Sequence, residues 1–226
     1  MPVPTLDSPQ HLDQIYSSRF SDADAMRKDA IWREIAAYLQ RFVDPGAAVV
    51  DIACDRGDFI RNIRAREKWG TDLRDVSTHL DGDVRFVQAD GLGLAAVLPG
   101  GHFDVAFMSN YLEHLPSGDA VVRQLEVARE LLKPGGRVIV LQPNVRLVGG
   151  RYWDFIDHSV ALTERSLEEA AHLAGLRTVR TIVRFLPFTT KSRLPQHPGL
   201  VRAYLALPPV WLLLGKQTLY LAERPA

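Results

Sequence analysis

Short apolar, β-branched runs alternate with stretches of helical period along most of this chain, and that alternation constrains the fold more than any other feature. Ala47 to Ala53 reads as a buried parallel strand, because a strand covered on both faces is a continuous apolar run. Lys68 to Thr71, Val84 to Val87, Asp104 to Met108, Arg137 to Leu141, Val179 to Phe185 and Gln217 to Ala222 supply the rest. Helical patterns lie between and before them. One runs to about Phe42 with Ile31, Ile35, Leu39 and Phe42 on one face, and Ser21, Asp22 and Asp24 are available to cap it. Another is expected through Phe59, Ile60 and Ile63, a third from Ser117 to Leu132, and a fourth from Thr163 to Gly175. This order predicts an α/β fold: a doubly wound, seven-stranded sheet, mostly parallel, with helices on both faces. A Pro-rich insert, residues 186–216, separates the last two runs. It is expected to return the chain as an antiparallel edge strand.

Composition narrows the function. Hydrophobic residues make up 46% of 226, enough for a full core. Lys+Arg and Asp+Glu balance at 27 each, so no nucleic-acid partner is expected, since phosphate binding needs surplus cationic surface. Cys54 stands alone and fits a reducing compartment. The first residues lack a basic and an apolar signal region, and no apolar run is long enough to span a bilayer. A cytoplasmic protein is the expectation.

In doubly wound sheets, ligands sit outside the carboxyl ends of the strands. Asp51, Asp72 and Asp90 close the first three strands there. The second follows the first at about the 20-residue interval that presents a carboxylate to a ribose hydroxyl. A single such Asp is commonly a turn former or helix cap. Three in succession point to a nucleotide-like ligand.

Val49-Val50-Asp51-Ile52-Ala53-Cys54-Asp55-Arg56-Gly57-Asp58-Phe59 resembles the first motif of class I S-adenosylmethionine-dependent methyltransferases. Asp104 to Leu115 resembles their fourth-strand motif, and Leu131-Leu132-Lys133-Pro134-Gly135-Gly136-Arg137 the turn before their fifth strand. Gln142-Pro143-Asn144 and Trp153-Asp154-Phe155-Ile156-Asp157-His158 further resemble a bacterial small-molecule or glycan-type subgroup. The resemblance implies one Rossmann-like domain. Residues 1–43 would form an N-terminal arm and cap helix, 44–185 the cofactor-binding core, 186–216 an acceptor-side insert and 217–226 an edge strand. It implies S-adenosylmethionine as cofactor. Asp51 would close the first strand, and Ala53, Cys54 and Gly57 would wrap the methionine end. Asp72, with Leu73 beside it, would accept both ribose hydroxyls. Asp90 would take the adenine amino group, Gly91 would let the backbone approach the ring, and Asn110 would sit beneath the methionine moiety. Tyr16, Arg19 and Phe20 would belong to a lid or to a packed N-terminal arm. The family usually has glycine where this chain has Ala53 and Asp55. Asp55 adds a Cβ and a charge, which keeps open a non-catalytic, methyltransferase-like binding protein. A nicotinamide dehydrogenase is disfavoured, because Ala53 to Gly57 is not the G-x-G-x-x-G turn.

Methyl transfer to a hydroxyl needs a general base. His114, after the fourth strand, and His158, after the fifth, are the candidates; the alternative for each is a structural histidine. No metal is expected, since no His/Cys/Asp group has ligand spacing. Relatives of this type imply a small-molecule, glycan or glycolipid acceptor in polysaccharide biosynthesis. The insert either covers the acceptor, packs on the sheet edge or on a second subunit, or makes peripheral membrane contact through residues 198–214.

Overall fold

The computed structural model describes residue 14 and residues 22–188 and 197–226. Tyr16, Arg19, Phe20, Ser21 and the stretch 189–196 lie outside the described residues. Helix α1 (Asp22–Leu39) passes through a short 3-10 turn, Gln40–Phe42, before strand β1 (Ala48–Ile52). β2 (Glu67–Asp72), β3 (Val84–Gln88), β4 (Phe103–Ser109), α2 (Gly118–Leu131), β5 (Leu132–Pro143), α3 (Val145–Val148), α4 (Glu164–Leu173) and β6 (Arg177–Leu186) follow. The chain ends through α5 (Pro198–Ala206), α6 (Pro208–Leu214) and β7 (Gln217–Glu223).

One seven-stranded sheet results, in the order β3-β2-β1-β4-β5-β7-β6. β1, β2, β3, β4 and β5 pair in parallel, and β7 runs antiparallel to both β5 and β6. The order reverses between β1 and β4, which opens the ligand crevice at their carboxyl ends. Alternation along β1 divides the core. Ala48, Val50 and Ile52 face α2 and α4, whose Val121, Leu125, Ala128, Leu167 and Ala171 are buried against them. Val49 faces Ile35 and Leu39 of α1, with Leu205 and Trp211 from the insert. Ser117 caps α2 by accepting from the Ala120 N–H, and Thr163 and Ser166 form a capping box on α4.

Two expectations change. The antiparallel strand is present, but β7 lies one strand in from the edge and β6 is outermost. The burial explains it: Thr218 to Ala222 are all buried, whereas Arg177 to Arg180 are exposed. No regular helix follows β1 either. Residues 55–62 form hydrogen-bonded turns, with the Arg61 N–H on the Gly57 carbonyl and the Ile63 N–H on that of Phe59. Left-handed backbone at Ala53, Asp55 and Gly57 delays any helical start, and β2 begins at Glu67.

The described part of the insert packs on α1 and β6. Tyr204 donates to the Phe185 carbonyl at 2.7 Å, Trp211 Nε1 to the Tyr204 carbonyl at 2.8 Å, and Arg202 pairs with Glu34.

Candidate active site at the strand ends

The turn after β1 is held in an uncommon backbone shape. φ is +57° at Ala53, +50° at Asp55 and +72° at Gly57. Non-glycine residues rarely adopt this region, and alanine has no side-chain hydrogen bond to offset the cost. A Cβ at Gly57 would meet Leu80 Cδ2 at 2.3 Å, so glycine is required there. Asp72, at the end of β2, fixes the turn: its Oδ2 accepts the Asp55 N–H at 3.0 Å. Its Oδ1 accepts both the backbone N–H and Nε of Arg74, at 3.0 and 3.2 Å.

Asp55 is neutralised by residues distant in sequence. Arg74 Nη2 lies 2.8 Å from one carboxylate oxygen and Lys28 Nζ 3.2 Å from the other, while Lys28 also reaches Asp58 at 2.8 Å. Burial pushes the Asp55 carboxyl up, but Lys28 and Arg74 outweigh it and hold it below the usual range. Asp51 has no such cations among the described residues. It is buried, accepts a backbone hydrogen bond from Ile60 and faces Asp58, Asp72 and Asp55, so burial first and those charges next raise its carboxyl well above normal. Burial likewise pushes the Cys54 thiol up, which makes it packing rather than a nucleophile.

Asp90 is exposed beyond β3, where one carboxylate oxygen caps the Leu92 N–H at 3.1 Å. A Cβ at Gly91 would meet Tyr111 Oη at 2.2 Å, so the Tyr111 ring, which donates to Gln124, would have to shift. Leu73 is half-buried, and its carbonyl accepts from Gln88. Asn110 follows β4 with φ +48°, its N–H on the Leu141 carbonyl at 2.8 Å.

The second half of the rim gathers residues from β4 and from the loop after β5. His114 Nδ1 lies 3.0 Å from the Asp157 carbonyl oxygen and 3.4 Å from its carboxylate. The His114 and His158 rings are 4.9 Å apart, and His158 also packs against Tyr152 and Phe155. Glu113 is buried, and its Oε2 has no hydrogen-bond partner among the described residues. Burial raises its carboxyl, with His114 opposing. Although no ligand spacing exists in the sequence, ligand atoms of Glu113, His114 and His158 lie within 4.8 Å of one another. Phe188, at the start of the insert, stacks edge-on with Phe155 at 6.0 Å.

A family model described as a methyltransferase domain matches residues 26–181, from within α1 into β6. The chain belongs to the methyltransferase domain family. Its methyl donor is S-adenosylmethionine. No curated protein matches the sequence. Among solved structures, this methyltransferase is similar to a chain of the complex between the Haloferax volcanii Trm112 methyltransferase activator and a methyltransferase. The identity is 16%, the TM-score 0.68, and the match covers 94% of this chain and 98% of that one. It is also similar to a SAM-dependent methyltransferase from Archaeoglobus fulgidus, at 18% identity and TM-score 0.60, covering 84% and 94%. A third is geranyl diphosphate C-methyltransferase from Streptomyces coelicolor A3(2), in complex with Mg2+, geranyl diphosphate and S-adenosyl-L-homocysteine. There the identity is 16% and the TM-score 0.57, covering 84% and 76%. Identities this low establish a common fold and nothing about acceptors.

The methyltransferase's strand ends fit the cofactor. Asp72 keeps carboxylate lone-pair capacity beyond its three internal hydrogen bonds. Asp90 offers its second oxygen, and the Asp55 charge that would oppose a bound carboxylate is paired. Sequence reasoning missed Lys28 and Arg74 as the partners of Asp55, for which Arg56 was the nearest cation. A strongly altered glycine position is itself the signal to look for compensating cations.

Proposed function

We propose that this methyltransferase transfers the methyl group to a hydroxyl oxygen, with a sugar in a glycan or glycolipid as the acceptor class. The single observation that carries the reading is the pairing of His114 with Asp157 beside Glu113 and His158, at the carboxyl ends of β4 and β5. A carbonyl oxygen only accepts, so His114 Nδ1 carries the proton and Nε2 keeps a basic lone pair. Asp157 then orients the ring.

Bound S-adenosylmethionine supplies an electrophilic methyl on a positively charged sulfur. Asp51, Ala53, Cys54 and Gly57 shape the methionine end of its site. Asp72 with Leu73 holds the ribose, Asp90 and Gly91 the adenine, and Asn110 underlies the reacting end. Arg19, outside the described residues, is kept as a lid residue. Transfer would form the bond between the acceptor oxygen and the methyl carbon as the carbon–sulfur bond breaks, its electron pair going to sulfur. The hydroxyl proton passes to His114 Nε2 and then to water. His158 and the Tyr152 and Phe155 rings line the acceptor side and exclude water.

No helix among the described residues is long and apolar enough to cross a membrane. Leu200, Leu212, Leu213 and Leu214 on α5 and α6, and Leu207 between them, are nonetheless exposed, which supports peripheral contact of 198–214 with a membrane carrying a glycolipid acceptor. We place the reaction in the cytoplasm, where a lone thiol stays reduced.

The test is labelled-methyl transfer to a panel of sugar and glycolipid hydroxyls, with His114→Asn alongside. Loss of a positioned base lowers the rate by roughly 10²–10⁴-fold. Activity within twofold of wild type in His114→Asn would remove His114 from the mechanism.

A further inference from the structure

We infer that Glu113, His114 and His158 together bind a divalent transition-metal cation at the carboxyl ends of β4 and β5. Their ligand atoms lie within 4.8 Å of one another, although His158 comes from a loop remote in sequence from the other two. A cation at about 2.0–2.2 Å from each ligand needs ligand atoms roughly 3–4 Å apart, so the separations here have to close by about 1 Å at most.

Two independent features point the same way. Glu113 is 1% exposed, and its Oε2 has no hydrogen-bond partner among the described residues, an arrangement that a cation satisfies directly. His114 is oriented as metal-bound histidines are. Its Nδ1 proton is donated to the Asp157 carbonyl at 3.0 Å, which leaves Nε2 as the ligand nitrogen. Packing against Tyr152 and Phe155, at 4.7 and 5.1 Å between ring centres, holds the His158 ring in place. Two imidazoles and one carboxylate suit Zn2+, Mn2+ or Fe2+ better than Mg2+ or Ca2+, which prefer oxygen. Three protein ligands also leave coordination positions open for a substrate oxygen.

This deepens the hydroxyl reading and rests on it for its chemical consequence. A cation here binds the acceptor hydroxyl and lowers its pKa, so the proton leaves to water. With the cation in place His114 is a ligand instead of the base; the bonds made and broken at carbon and sulfur are unchanged.

The test uses the full chain, stripped with a chelator and titrated calorimetrically with Zn2+ and, separately, Mn2+. One equivalent should bind, and Glu113→Gln and His158→Gln, checked for folding by circular dichroism, should each weaken it at least about tenfold. Lack of saturable one-to-one binding, or wild-type affinity in both folded variants, overturns the cation site. Full methyl transfer to a hydroxyl by chelator-treated protein that binds neither cation also overturns it, and leaves the base reading intact. One-to-one binding lost in both variants, in a protein that methylates no hydroxyl acceptor, upholds the site and overturns the hydroxyl reading.

Discussion

Two carboxylates, Asp51 in β1 and Asp55 in the turn that follows, show how neighbours decide what an acid does. Asp55 stands where a glycine would be easier, in left-handed geometry, yet Lys28 and Arg74 grip both its oxygens. Asp55→Gly removes backbone strain but leaves those cations without their partner. We expect S-adenosylhomocysteine binding to weaken by about 1 kcal/mol, because these charges are partly screened. A tenfold tightening in titration calorimetry would show that Asp55 merely obstructs the site. Asp51 is the opposite case. An unfolded Asp titrates near about 3.9, whereas the buried carboxyl titrates well above that. Between those values the folded state holds a proton that the unfolded state has lost, so Asp51 costs stability as pH rises. Asp51→Asn keeps an acceptor for the Ile60 N–H and should gain on wild type as pH rises through the range above the ordinary aspartate value, read from melting temperatures. A constant difference across that range would contradict the raised value. Asp51, Asp72 and Asp90 were legible as strand-end acids because sequence position alone puts them there. Lys28 and Arg74 were not, since only the fold brings α1 and the end of β2 to the same turn.

The elements themselves were mostly written in local pattern. Continuous apolar runs marked the strands, and Ser117 and Thr163 marked the helix starts that they cap. The stretch after β1 was misread as a helix because Phe59, Ile60 and Ile63 have helical spacing and are buried, but periodicity carries no information about the φ of the residues before them. Gly57 is the residue on which that turn depends. Gly57→Ala combines positive φ with a Cβ placed 2.3 Å from Leu80, and it should cost about 1–3 kcal/mol in urea unfolding. Wild-type stability would mean that the turn relaxes freely. The position of β7 was equally hidden, since an all-buried strand and an edge strand differ in partners that lie elsewhere in the chain.

At the scale of the whole molecule, the reversal of strand order between β1 and β4 divides the rim into two halves. The ends of β1, β2 and β3 carry Asp51, Asp72 and Asp90, and the ends of β4 and β5 carry Glu113, His114 and, through the following loop, His158. The sequence put both histidines on the same rim, after the fourth and fifth strands, but not in contact; they meet because β4 and β5 pair in parallel. The account stands on the first half of that rim holding the methyl donor, and Asp72 is its best probe. The Asp72 carboxylate already accepts from Asp55 and Arg74, and a ribose diol would use the lone-pair capacity that remains. The most direct measurement is titration calorimetry of S-adenosylhomocysteine into wild type and into folded Asp72→Ala. Loss of charge-assisted hydrogen bonds of about 2–3 kcal/mol predicts binding roughly 30- to 150-fold weaker in the variant; equal affinity in a variant with native circular dichroism would contradict the placement of the cofactor at these strand ends.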